Sequence, residues 1–161
     1  MAVAIKNQGY TNIKIYNGGI KDWKQAGLPV ASTDPLPEYS GAMITGEEVC
    51  AIMQRSENCL DERGNPLLTI LDFRVENSLE EAAGGLKRIK TRCPVITCLL
   101  DDVRLPEQRA RIPKEGLVVT ITETGNRDDV AMRYLSRYGY TNVKGLEFGM
   151  RGWIKSKLPI E

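Results

Sequence analysis

The sequence contains no histidine. That excludes Ser–His and Cys–His nucleophile pairs and every histidine-containing metal site. It carries almost no net charge, +1 from 22 basic and 21 acidic residues, so no field recruits nucleic acid or an anionic membrane surface. No apolar run approaches the roughly 18 residues that span a bilayer. The start, Met1-Ala-Val-Ala-Ile-Lys6, is too short and too polar for a secretory signal. The resulting expectation is a cytoplasmic chain that binds neither nucleic acid nor membrane. Cysteines number only four, Cys50, Cys59, Cys93 and Cys98, and no two form a C-x-x-C pair, which argues against a zinc ribbon or a thioredoxin-like centre. All four are expected to be small buried hydrophobes, with Cys93 and Cys98 on opposite faces of any strand they share. No metal and no cofactor is expected. The remaining composition, 42% hydrophobic and 27% charged over 161 residues, suits a soluble globular domain with an appendage.

An internal repeat organises the chain. Residues 9–30 align with residues 139–160 without gaps, and nine of the 22 positions are identical: Gly9/Gly139, Tyr10/Tyr140, Thr11/Thr141, Asn12/Asn142, Lys14/Lys144, Gly19/Gly149, Trp23/Trp153, Leu28/Leu158 and Pro29/Pro159. The offset of 130 is one domain length. Residues 1–30 therefore read as the C-terminal fragment of a first unit, and residues 42–161 as a complete second unit. Between them, residues 31–41 hold two prolines, a glycine and small polar side chains, the composition of a linker.

The second unit alternates helix and strand signals. Thr45 and Glu48 form a capping-box pattern ahead of a helix to about Arg55, with Val49, Ile52 and Met53 on its inner face. Strands are predicted at Leu67–Leu71, Pro94–Leu100, Leu117–Ile121 and Asn142–Leu146. Helices are predicted at Ser78–Ala83, stopped by Gly84-Gly85, at Leu105–Ala110, at Asp128–Tyr138 and at Met150–Ser156. The inner face of Asp128–Tyr138 is expected to carry Val130, Ala131, Tyr134, Leu135 and Tyr138. The fragment 1–30 is expected to hold a helix to Gln8, a strand Asn12–Tyr16 and a helix Ile20–Ala26. Strands separated by helices predict an α/β fold, a doubly wound, mostly parallel sheet flanked by helices.

In such sheets the functional groups lie beyond the C-terminal ends of the central strands. After Leu117–Ile121 comes Thr122-Glu-Thr-Gly-Asn-Arg127, a glycine-containing loop that leads into a helix and points backbone N–H groups at one spot.

Here the chain resembles the rhodanese-like family. Val118-Val-Thr-Ile and Thr-Gly-Asn-Arg127 resemble its active-site strand and C-x-T-G-x-R-S loop, Leu68-Thr-Ile-Leu-Asp-Phe-Arg74 resembles its early "LIDVR" strand, and residues 139–159 resemble its "GY-x-n-V…GG-x-x-x-W…LP" ending, which residues 9–30 repeat. The family's "GHIPGA" segment is missing, and Arg88–Ile96 takes its place. The resemblance implies a rhodanese-like doubly wound fold. It also implies a loop whose first residue is a cysteine thiolate, which takes sulfane sulfur from a donor such as thiosulfate and passes it to cyanide or a thiol. The six residues Thr122 to Arg127 match the loop length of sulfur transfer, one shorter than that of the related dual-specificity phosphatases.

The departures weigh against that chemistry. The nucleophile position is Thr122, which cannot carry a persulfide, and without histidine no base is evident to ionise its hydroxyl. Glu123, Asp128 and Asp129 against Arg127 give the loop a formal charge of −2, which should repel thiosulfate. Asp128 and Asp129 suit a helix N-terminus, with Asp128 near the cap and Arg127 pairing with one of them or with Asp72. The expected site is thus a degenerate loop, Thr122, Glu123, Thr124, Gly125, Asn126 and Arg127, with no certain catalytic residue. Asp72 and Arg74 are expected to support it, as a buried ion pair or through hydrogen bonds that brace the loop. Trp23 and Trp153 are expected to anchor the terminal helices, and Gly19 and Gly149 to mark the turns before them. Two functions remain open: a catalytically inactive module that binds, regulates or acts as a scaffold, and an active sulfurtransferase that uses Cys98 or an additional domain. In two-domain members one domain commonly lacks the cysteine while the other does the chemistry. The apolar residues of the fragment, Ile13, Ile15, Tyr16, Ile20 and Trp23, need cover, so a homodimer through residues 1–30 or docking onto the chain's own domain is expected.

Overall fold

In the computed structural model, the residues described are 2–31, 35–39, 41–74 and 85–161. The chain divides into two units, Met1–Pro35 and Leu36–Glu161.

The first unit contains helices α1 (Ala2–Asn7) and α2 (Gly19–Gln25). The strand expected at Asn12–Tyr16 is not formed. A strand needs ladder partners, and this unit supplies no sheet to provide them. Ile15, Tyr16 and Ile20 are exposed. The repeat is nevertheless visible in local geometry. Trp23 Nε1 donates to the Pro29 carbonyl at 2.9 Å, and Trp153 Nε1 donates to the Pro159 carbonyl at the same distance. The Leu28 amide donates to the Trp23 carbonyl and the Leu158 amide to that of Trp153, each at 3.2 Å. Gly19 and Gly149 have φ of 60° and 58°, a left-handed backbone open to glycine at little cost. The repeated residues thus encode one helix-capping unit, with or without a sheet beneath it.

In the second unit the described elements are β1 (Met43–Ile44), α3 (Gly46–Met53), β2 (Leu68–Asp72), β3 (Val95–Thr97), a 3-10 turn Leu100–Arg104, α4 (Pro106–Arg109), β4 (Leu117–Ile121), α5 (Asp128–Arg137), β5 (Val143–Leu146) and α6 (Gly149–Lys155). The five strands form one all-parallel sheet in the order β1-β5-β4-β2-β3. β1 was not expected; two residues are too short to show a periodicity. The strand expected to run on to Leu100 ends at Thr97, and the helix expected at Ser78–Ala83 lies outside the described residues.

Helices cover both faces of the sheet. Leu68, Ile70, Leu117, Val119 and Ile121 share one cluster with Val49, Met150 and Trp153. Leu71, Ile96 and Val118 share the other with Met132, Leu135 and Tyr140. Burial on both faces explains why β2 and β4 are buried at every position and mostly apolar rather than alternating. On α5 the buried apolar residues are Ala131, Met132 and Leu135, with Met132 facing inward where Val130 had been expected. The capping box is present: Thr45 Oγ1 accepts from the Glu48 amide at 3.2 Å and the Thr45 amide donates to Glu48 Oε2 at 2.9 Å. Leu36–Tyr39, read from sequence as linker, belong to this unit. Arg133 donates to the carbonyls of Leu36 and Pro37, and the Tyr39 hydroxyl to that of Val143.

The cysteines require a correction. Cys59 and Cys93 are joined in a disulfide with their Cα atoms 5.1 Å apart; only Cys50 and Cys98 are free. Cys93 and Cys98 do fall in clusters on opposite faces of the sheet.

Candidate functional site

The C-terminal ends of β2 and β4, adjacent in the sheet, bring Asp72 and Thr122 to the same edge. From Thr122 the chain turns through Gly125, at φ +81°, into α5. Gly125 and Gly149 lie backbone against backbone. A Cβ on Gly149 would come within 2.6 Å of the Gly125 nitrogen, and one on Gly125 within 3.1 Å of the Gly149 nitrogen. The Met150 amide donates to the Thr122 carbonyl at 3.0 Å and the Arg151 amide to the Glu123 carbonyl at 3.1 Å. The start of α6, the second copy of the repeated motif, therefore clamps the loop from one side.

Thr122 is buried. Its Oγ1 accepts from the Gly125 amide at 3.1 Å and donates to Asp128 Oδ2 at 3.4 Å. Asp128 lies near the helix cap, as expected, but its side chain turns inward. It is the first residue of α5, fully buried, and the preceding Arg127 makes no side-chain cap. Room for it comes from Gly145 in β5, where a Cβ would lie 2.8 Å from that of Asp128. Among the described residues, Oδ1 of Asp128 has no hydrogen-bond partner. Burial pushes the carboxyl up to about 7, helped by the like charge of Asp72 and opposed by the neighbouring hydroxyls of Thr120 and Thr122. The formal loop charge of −2 is thus an overcount near neutral pH. Glu123 is also compensated, 3.2 Å from Arg151 Nε and 3.8 Å from Arg74 Nη1.

Asp72 and Arg74 are both buried and form a two-pronged pair, Nε to Oδ1 at 3.0 Å and Nη2 to Oδ2 at 2.8 Å. Arg74 also donates to the Lys87 carbonyl, and Arg88 approaches Asp72 Oδ2 at 3.4 Å. Arg74 and Arg88, not Arg127, are thus the partners of Asp72. Arg127 is exposed and makes no ion pair among the described residues; Asp129 pairs with Arg133 at 3.9 Å. Thr124 and Asn126 are exposed as well. A cavity of about 670 Å³ opens here, walled by Arg74, Thr122, Glu123, Asn126 and Arg127 on one side and Leu99, Leu100 and Asp101 on the other.

Cys98 does not line this cavity. It is buried, and burial pushes its thiol up, followed by the carboxylate of Asp102, with Arg111 opposing and Asp72 adding. Sequence reasoning missed Asp128 as an inward group and Arg88 as a partner of Asp72. The signal for the first was a glycine inside a strand pattern, Val143-Lys-Gly-Leu146, which marks a close approach.

The chain matches no protein-family model, and no curated protein is detectably similar to it. Solved structures are similar in fold. The rhodanese-like domain of a protein from Anabaena sp. is 16% identical, with 76% of this chain and 80% of that one covered at a TM-score of 0.54. A polysulfide-sulfur transferase homodimer from Wolinella succinogenes is 16% identical, with coverages of 75% and 78% and a TM-score of 0.54. An NAD-dependent persulfide reductase from A. fulgidus is 23% identical over 83% of this chain, which spans only 17% of it, at a TM-score of 0.47. The second unit has the rhodanese-like α/β fold: a five-stranded parallel sheet flanked by helices.

Proposed function

We propose that the chain is a rhodanese-homology protein whose loop does not transfer sulfur, and that it acts as a binding, regulatory or scaffold module. The observation that carries this reading is the hydroxyl at the centre of the loop. Thr122 Oγ1 stands where the resemblance calls for a thiolate, held between the Gly125 amide and the Asp128 carboxyl. A hydroxyl forms no persulfide, and an ionised Asp128 beside it disfavours a second anion in the same cradle. The burial of Cys98 and its raised thiol argue against that cysteine as a substitute.

Thiosulfate treatment followed by cyanolysis tests the reading. The expected result is no bound sulfane sulfur above that of a cysteine-free variant; turnover that survives Cys98→Ser would exclude both an inert loop and Cys98 as nucleophile. The loop geometry also ranks the repairs. Thr122→Cys alone should gain little. Adding Glu123→Arg should help less than adding Asp128→Ser, because Glu123 is already ion-paired whereas Asp128 touches residue 122. Persulfide formation is read by mass; full activity from the single change would refute the electrostatic argument.

Residues 1–30 belong to this proposal as the tail of a first unit, supported by the shared Trp–Pro hydrogen bond. Their exposed Ile15, Tyr16 and Ile20 favour burial against a second copy. Light scattering should give a dimer for the full chain and a monomer for a chain beginning at Leu36. Equal monomer masses would exclude the dimer.

A further inference from the structure

We propose that the cavity walled by Cys50, Cys59 and Cys93 is a thiol–disulfide exchange site that takes a low-molecular-weight thiol, with Cys50 as the resolving thiol. The cavity, about 550 Å³, lies apart from the degenerate loop, and all three cysteines line it. The free thiol and the disulfide share one packing cluster: Cys50 packs against the core that contains Cys59 and Cys93. Helix α3 brings them together. Cys50 and Met53 are three residues apart on that helix and so lie on one face. Thr91 Oγ1 donates to Met53 Sδ at 3.0 Å and accepts from the Cys93 amide at 2.9 Å, so this face of α3 looks onto the segment that carries Cys93.

Cys93 is the point of entry, 5% exposed against 1% for Cys59. The rim carries both signs of charge, Lys90 and Arg92 with Glu57 and Glu161, which fits a zwitterionic thiol. The incoming thiolate attacks Sγ of Cys93. A mixed disulfide forms, the Cys59–Cys93 bond breaks, and Cys59 leaves as a thiolate that takes a proton from water. Cys50, once deprotonated, attacks the same Cys93 sulfur and expels the small thiol. The pairing has changed from Cys59–Cys93 to Cys50–Cys93, the thiol is regenerated, and neither oxidant nor reductant is consumed. Release of Cys59 removes the covalent tie between the segment after α3 and the residues before β3, leaving the hydrogen bond from Arg92 to the Glu57 carbonyl. Cys59 also sits at φ +57°, a left-handed backbone that a cysteine rarely adopts.

The test treats the full chain with reduced glutathione at mildly alkaline pH, because burial and the carboxylate of Glu47 push the Cys50 thiol up. After acid quenching, peptides are mapped by mass without reduction. The wild type should show glutathionyl-Cys93 and then a Cys50–Cys93 cross-link. Cys50→Ser should lose the cross-link and accumulate the mixed disulfide, while Cys98→Ser, altered on the opposite face of the sheet, should behave as wild type. Recovery of Cys59–Cys93 alone from the native wild type would overturn the proposal. So would free thiols at both positions before treatment, or a cross-link pattern unchanged by Cys50→Ser. The wild-type map decides even where a variant does not fold.

Discussion

Asp128→Asn is expected to stabilise the protein by a few kcal/mol at pH 8 and by almost nothing at pH 4. An ordinary aspartate releases its proton near pH 3.8, and the buried Asp128 carboxyl holds it until about 7. Between those values the folded chain binds a proton that the unfolded chain has lost. Native stability therefore falls as the pH rises through that window, and the loss is complete above about 7. The span from 3.8 to about 7 corresponds to about 4 kcal/mol. Asparagine has the same shape and never ionises, so it removes the penalty where the penalty exists. The unpartnered Oδ1 means that the exchange breaks no hydrogen bond at that atom. Denaturant unfolding of both proteins at pH 4, 6 and 8 measures it. An equal gain at all three values would show that the carboxyl is already neutral throughout or is solvated. The same measurement bears on the loop. An aspartate retained at this cost, against the threonine at the nucleophile position, is a local choice that stability does not explain.

Much of the architecture was legible because it rests on local signals. The apolar runs of β2 and β4 predicted buried parallel strands, the Thr45–Glu48 spacing predicted a capped helix, and the repeated Trp and Leu-Pro predicted the same terminal structure twice. Each depends on residues within about ten positions of one another. What was not legible depends on distant partners. The strand expected at Asn12–Tyr16 has the same pattern as β5, yet β5 forms because β1 and β4 flank it. Cys59 and Cys93 are 34 residues apart, and with four cysteines the sequence favours no one pairing. At the site, Thr122 as the central loop residue and the pairing of Asp72 with Arg74 followed from position in the fold. The inward turn of Asp128 did not, because the turn at Gly125 is local but the space it turns into is left by a glycine on another strand, Gly145 of β5.

The repeat offers the sharpest contrast in expected stability. Trp153→Ala should cost about 3–5 kcal/mol, the range for a large aromatic removed from a packed core. Its ring is 1% exposed, in one cluster with Val49, Leu146 and Met150, and a Cβ on Gly46 would lie 3.2 Å from it. Its indole nitrogen also holds the Pro159 carbonyl. Trp23 makes the same hydrogen bond to Pro29 and stacks edge-on against Tyr16 at 5.3 Å, but it is only half-buried and no sheet lies beneath it in its unit. Trp23→Ala should therefore change the unfolding free energy of the second unit by no more than about 0.5 kcal/mol. These are the only two tryptophans, so each variant keeps a single fluorophore, and far-UV circular dichroism is the fair common probe. If Trp23→Ala costs as much as Trp153→Ala, and the cost grows with protein concentration, the fragment's face is buried against a second copy and its tryptophan has a core after all. If the cost is large but independent of concentration, the fragment folds onto its own chain, and the proposed dimer is wrong.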